Sequence, residues 1–354
     1  MSVSAESTKP TLADFRSVGD HHFADLLHAI DKHELKVLWQ LRNDEELFGR
    51  SYSRELVQLI DQVRHIPSWI DEKSLEHSAD FFQKNAFDLS AMLGLASLPY
   101  CYGGADGAVV LIKTGRILDR TKTRILETGR FVVDVCAPEA FTGKGKGFLS
   151  CLKVRIIHQF VRDQMLRTGW DVEDLGYPVN QLDQASTNLS FSLIAIRALR
   201  KTGKEISDAD AQAYLQRWNA ISSLLGLQDD LLRQTMRTAS HLARSIERVQ
   251  FRASAAGAEL TQALVKSLIE MGELSGYPKR ILDQYMAYLL GDQVAGYIGL
   301  QSGRVANLFE FSALLTQMRE VFKWIPSADF GPVGDRKVDP EAYDQMLVNI
   351  PMLT

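Results

Sequence analysis

Apolar residues recur at intervals of three and four along nearly the whole chain, and that is the period of an α-helix. In residues 23–41 the pattern sets Leu26, Leu27, Ile30, Leu35 and Leu38 near one face. Residues 74–95, 109–135, 149–167, 185–199 and 208–225 read the same way, as do 228–251, 259–271, 279–290 and 294–322. Ser207, three residues before Asp210, has the spacing of a helix N-cap. No pair of alternating apolar runs flanks a hairpin turn, and no internal repeat or low-complexity run interrupts the pattern. The breaks carry turn chemistry: 99–104, the glycine-rich 138–147 (expected to be mobile), 176–178, 276–278, and a loop at 326–340 before a short C-terminal segment. Nothing resembles a linker. The expectation is an all-α chain, with residues 1–354 forming a single domain and 228–354 its C-terminal helical part.

The chain has 354 residues, of which 45% are hydrophobic, ample for a well-packed core. Its three cysteines, Cys101, Cys136 and Cys151, form no metal-ligand pattern and cannot all pair. They read as reduced thiols, as in a cytoplasmic protein. The first twelve residues lack the apolar stretch of a signal peptide, and no long uncharged apolar run suggests a membrane span.

Net charge is −4, but it is unevenly placed. Residues 113–167 hold twelve Lys or Arg against five Asp or Glu, so the rest of the chain is acidic. Such a segment suits a bound anion or a solvated basic surface. Nucleic acid is disfavoured, because the basic residues alternate with apolar runs and no reader motif is present.

Within that segment His158 lies on a helical stripe with Cys151, Val154, Val161 and Met165, while Arg155 and Arg162 flank it by about a turn. A histidine there is either a satisfied core residue or a ligand at the edge of an apolar cavity. Upstream, Arg124, Glu127 and Thr128 are spaced i, i+3 and i+4, so a guanidinium, a carboxylate and a hydroxyl share one helix face. Gly129 follows, at a cost of about 1 kcal/mol against alanine in a helix interior. Close approach of a flat ligand would account for it, and so would tight helix packing. Downstream, Asn180 has the place of an N-cap and Asp183 that of a first-turn acid. Thr187 and Phe191 are one turn apart and can line a pocket. His21, His22, His28 and His33 make no recognisable metal site. No P-loop, Gly-x-Gly-x-x-Gly, Gly-x-Ser-x-Gly or paired Glu-x-x-His motif occurs.

Taken in order, Arg124-Ile-Leu-Glu127-Thr128-Gly129-Arg130, the His158-Gln-Phe-Val-Arg162 stretch, and the segment from Pro178 to Phe191 resemble the catalytic domain of the rubber oxygenases, a family that also holds an oxygenase of mycophenolic acid biosynthesis. The resemblance runs over about residues 14–227, and Trp218 and Gly226 also match as core-packing positions. It implies a globin-like helical core with additional N- and C-terminal helices, and a haem b whose iron is held by His158. It further implies Arg124, Gly129, Arg155 and Arg162 around the cofactor, and Arg124, Glu127 and Thr128 managing protons and dioxygen. Rubber oxygenases carry a lysine where this chain has Glu127. An amine can cap the iron, whereas a carboxylate would act as a base or hydrogen-bond acceptor. Secreted rubber oxygenases also carry an export signal, so bulk polymer is not the substrate expected here. The absence of Cys-x-x-Cys-His argues against covalently attached haem.

The function so implied is oxygenation by O2 of a small apolar molecule, isoprenoid or otherwise unsaturated. Two rival readings share the fold: a haem-binding sensor or carrier without turnover, and a cofactor-free helical protein that binds an apolar ligand. The substrate and the oligomeric state are not legible.

Overall fold

The computed structural model describes residues 10–114, 121–272 and 279–301. The expected loop at 326–340, the break at 276–278, the junction at 115–120 and most of the last predicted helix lie outside them. The described helices are α1 (His21–His28), α2 (Lys32–Gln40), α3 (Asp44–Phe48), α4 (Arg54–Asp61), α5 (Glu72–Met92), α6 (Leu98–Tyr102), α7 (Ala105–Lys113), α8 (Thr121–Cys136), α9 (Gly147–Arg167), α10 (Val172–Leu175), α11 (Gln181–Leu189), α12 (Ala195–Lys201), α13 (Asp208–Leu224), α14 (Met236–Gln250), α15 (Ala255–Met271), α16 (Lys279–Leu290) and α17 (Asp292–Tyr297). Among the described residues no strand forms, and a lone antiparallel bridge joins Gly104 to Phe251. The fold is all-α, with one apolar core running from Phe15 to Leu300. A smaller cluster of Val110, Met165 and Trp170 sits beside it.

The helical period predicts the elements, and capping chemistry sets their limits. The run over 23–41 is two helices, because the Asp31 carboxylate accepts the His33 N–H at 2.7 Å and starts a second one. Ser207 and Asn180 are the expected N-caps, accepting from the backbone N–H of Asp210 and Asp183 at 3.0 and 2.9 Å. The run over 228–251 becomes helical only at Met236, where Thr235 and Thr238 form a reciprocal cap. Pro99 does not begin a turn as predicted. It sits inside a continuous helix, just after the π-helical turn at Leu93–Ser97, and the turn waits for Gly103 and Gly104. Two helices also pass through π-helical turns, Leu93–Ser97 before α6 and Ser190–Ile194 between α11 and α12.

Helix α9 runs through the interior and is tied down at several points. Its N-terminus has no cap from its own chain segment. Asp44, fully buried, supplies it from α3, accepting the N–H groups of Leu149 at 2.8 Å and Phe148 at 3.4 Å. The turn 138–147 is folded tightly around this junction. The Gly147 N–H reaches Ala140 O, and Gly145 O accepts the Asp44 N–H, both at 2.9 Å. Lys153 donates to the terminal carbonyls of Trp39 and Leu41 at 2.8 and 2.9 Å. Arg217 of α13, 2% exposed, joins α5 to the end of α8 through Ser78 Oγ, Leu75 O and Val135 O.

Burial raises Asp44 to about 6, against the lowering effect of the N–H groups it accepts. Its folded value therefore lies above its unfolded one, and its contribution to stability, full below about pH 4, is lost as pH rises through about 6. Asp44→Asn keeps the acceptor and removes the titration. The melting temperature of the wild type should fall relative to that of Asp44→Asn between pH 4 and 7. A flat or rising difference would show that Asp44 stays ionised throughout.

Candidate active site

A cavity of about 360 Å³ opens between α6, α7, α8, α9 and α11, with side chains added from α13 and the end of α14. Its size is that of a small-molecule site. Much of its wall is apolar: Leu98, Leu111, Ile125, Phe131, Val154, Ile157, Val161 and Phe191. Thr187 and Phe191, whose spacing allows a pocket but whose segment reads as structural, line it. Trp218, expected only as core packing, lines it as well.

His158 lies on that wall, about three turns into α9. Burial, reinforced by the positive charges of Arg162, Arg124 and Arg155, pushes it down to about 3, so the ring is neutral at physiological pH. Its Nδ1 is buried with no hydrogen-bond partner. A buried polar atom left in that state costs on the order of 1–3 kcal/mol.

Arg124, Glu127 and Thr128 face the same cavity from α8. Arg124 Nη1 donates to Glu127 Oε2 at 3.1 Å, so the i, i+3 spacing does bring the two charges together. Gly129, Arg155 and Arg162 are not part of the lining. Arg155 points to the other side of α9. Its Nε and Nη2 clamp Asp20 at 2.6 and 3.0 Å, and its guanidinium covers the Phe23 ring. Gly226, at φ +88°, makes room for this pair, because a Cβ there would collide with Asp20 Oδ2. Arg162 is wholly buried and donates through Nε and Nη2 to Val179 O at 3.2 and 2.9 Å. Val179 has a φ of +50°, rare and strained for a β-branched residue, and it lines the cavity. Three cations of the basic segment, Lys153, Arg155 and Arg162, are thus used inside the fold. Of its described cations, Arg124 and Arg167 line the cavity.

Several polar residues on the wall were not foreseen as site residues, Asp183 and Gln250 among them. Asp183, expected as a first-turn acid, also faces the cavity, and so does Gln250 at the end of α14. Burial lifts Asp183 to about 7, while hydrogen bonds from Gln250 and from the backbone lower it. The Asn180-Gln-x-Asp183 spacing was a usable signal for Asp183; Gln250 carried none. Among the described residues no group of three His, Cys, Asp or Glu is placed to hold a metal ion. None of the described helices is long and apolar enough to cross a membrane.

The family described as "ER-bound oxygenase mpaB/B'/Rubber oxygenase, catalytic domain" matches residues 90–320. This chain belongs to that family. The match begins later than the resemblance read from the motifs and extends well past residue 227, into the C-terminal third. A rubber oxygenase of Streptomyces sp. (strain K30) is 26% identical over 286 residues, covering 79% of this chain and 69% of that protein. The fold is similar to a solved structure of Latex Clearing Protein LCP in its closed state. The TM-score is 0.70 at 20% identity, over 100% of this chain and 94% of that one.

The Asp20–Arg155 pair joins the N-terminal segment to the helix that carries His158. Removing one member of a buried pair typically costs about 3–5 kcal/mol. Arg155→Met should lose that much in urea unfolding while binding added hemin as the wild type does. Weakened hemin binding at unchanged stability would instead put Arg155 at the cofactor.

Proposed function

We propose that this protein is a haem b-dependent oxygenase that uses O2 to oxidise a small, apolar, unsaturated molecule of isoprenoid type. The observation that carries the reading is His158, a neutral imidazole on the wall of a largely apolar cavity. A single imidazole is too few for a bare metal ion, which takes three or four protein ligands, but it suits a metal already held in a macrocycle. Membership of an oxygenase family and the names of the relatives support the reaction class.

Dioxygen activation is the chemistry that bound haem would supply. The chain's own residues bind, orient and protect. His158 would hold the iron, and its depressed proton affinity keeps the ring available as a ligand. Val154, Ile157, Phe131 and Leu111 exclude water from the reacting region. Glu127 is aimed by Arg124 and can take or return a proton at a carboxylate oxygen. The Thr128 hydroxyl, next to it in sequence and on the cavity wall, offers a hydrogen bond to a polar group bound there. Cleavage of a carbon–carbon double bond is the reaction that the rubber oxygenase relative suggests.

Absorption spectra of wild type and His158→Ala, as purified and after adding hemin, test this reading. Wild type should give a Soret band that shifts with dithionite, and the variant should lose or alter it. A colourless wild type that takes up no hemin would end the haem mechanism.

Glu127→Gln separates turnover from simple binding. It should keep the Soret band and lose about 10²- to 10⁴-fold in turnover, the usual scale for a general acid–base group. Full turnover in this variant would remove Glu127 from the chemistry.

A further inference from the structure

The cavity has a second polar wall, away from the Arg124–Glu127 pair in sequence and supplied by other helices. Asp183 opens onto it, and both carboxyl oxygens are held by amides. Gln250 Nε2 donates to Oδ1 at 3.0 Å, and Asn180 Nδ2 donates to Oδ2 at 2.9 Å. Of the other deeply set carboxylates among the described residues, Asp44 caps a helix through backbone N–H groups, and three are met by cations. Asp20 has Arg155, Asp106 has Arg16 and Arg252, and Asp134 has Arg130. Asp183 has no such contact, so its orientation is fixed while its charge is not neutralised.

A carboxylate has about four acceptor positions, and one neutral donor on each oxygen leaves capacity on both. Packing against Gly107 leaves the carboxyl where it is, since a Cβ at that position would lie 3.1 Å from Oδ1. Apolar side chains of Leu98, Phe191 and Leu227 line the same cavity, together with the neutral polar Gln184 and Thr187. A group this polar in such a place is costly unless something pairs with it.

We propose that Asp183, oriented by Gln250 and Asn180, determines specificity by hydrogen-bonding an oxygen function, a hydroxyl or carbonyl, on an otherwise apolar substrate. The preferred substrate class is then an oxygenated chain and not a plain hydrocarbon. A site built to pair with a hydroxyl discriminates strongly against the analogue that lacks it, because the buried group is left unpaired. With its proton affinity raised by burial to about 7, Asp183 is present in both forms near neutrality. The acid donates to a carbonyl and the carboxylate accepts from a hydroxyl. The neighbouring charges act in opposite senses, Asp106 raising it and Arg16 lowering it.

The proposal rests on the functional reading only in taking this cavity as the substrate site. Its test is calorimetric binding of two probes to the full-length protein as purified: geraniol, and 2,6-dimethylocta-2,6-diene, the hydrocarbon with the same skeleton. Wild type should bind the alcohol about tenfold more tightly, the scale of one hydrogen bond to a charged group. Asp183→Leu should bring the two affinities within about twofold by weakening the alcohol alone. Equal affinities in wild type, or an undiminished preference in Asp183→Leu, would overturn the proposal. If Asp183→Leu melts well below wild type, Gln250→Leu decides, since it keeps the carboxyl and its helix start. It should lose at least half of the preference, and an unchanged ratio would count against the proposal. The measurement needs neither turnover nor a Soret band, so an alcohol preference in a protein that takes up no hemin would leave this proposal standing while the haem mechanism fell.

Discussion

Two serines exchange hydrogen bonds at the point where the fold changes direction. Ser97 Oγ donates to Ser190 O at 2.7 Å, and Ser190 Oγ donates back to Ser97 O at 2.5 Å, with both residues wholly buried. Each lies in a π-helical turn. A π turn widens the ladder and leaves carbonyls poorly placed for their usual partners, and a buried carbonyl must be paired. Each serine satisfies the other's. The extra residue in each turn also rephases the helix beyond it. Before its π turn, α11 turns Asp183, Gln184 and Thr187 toward the cavity; after it, Ala195, Ile196, Ala198 and Leu199 of α12 are in the core. The first π turn likewise leads into Leu98 and Cys101 on the cavity wall.

Around that frame the buried charges fall into two kinds. Arg155 with Asp20, Lys153 with two carbonyls, and Arg217 with Ser78 and two carbonyls are closed networks. Their partners come from distant parts of the chain, and they hold α9 and α13 in place. Arg124, Glu127 and Asp183 are open on one side, toward the cavity. Closed networks contribute rigidity; open ones are where a bound molecule meets charge. The distinction accounts for how a basic segment can look like an anion site in sequence and yet present few cations to the cavity.

The helical faces were legible because burial follows the 3.6-residue period, which set His158 and the Arg124–Glu127–Thr128 group toward a common interior. The caps at Asn180 and Ser207 were legible because capping is local chemistry. Arg155 and Arg162 were not. Their positions one turn from His158 suggested a shared ligand, but their partners are decided by tertiary contacts: Asp20 lies 135 residues away in sequence, and Val179 lies in a strained turn. Asp183 was legible as a helix-start acid but not as part of the site. Seeing that required knowing where Gly107 and Gln250 lie. The π turns left no mark in the apolar pattern, since both segments are buried all round.

The two polar walls of the cavity differ in what they can do. The Arg124–Glu127 pair joins side chains that are 34% and 11% exposed, so solvent screens much of its attraction and it contributes little to stability. Its value is directional: an arginine one turn away fixes where the carboxylate points. Asp183 is fixed by neutral amides, which orient it without cancelling its charge. A charge already neutralised by a cation gains little from a substrate hydroxyl, whereas one held only by amides gains a full hydrogen bond. The proposed division of labour follows from the partners: proton handling for the α8 pair and recognition for Asp183 on α11, both facing a single cavity.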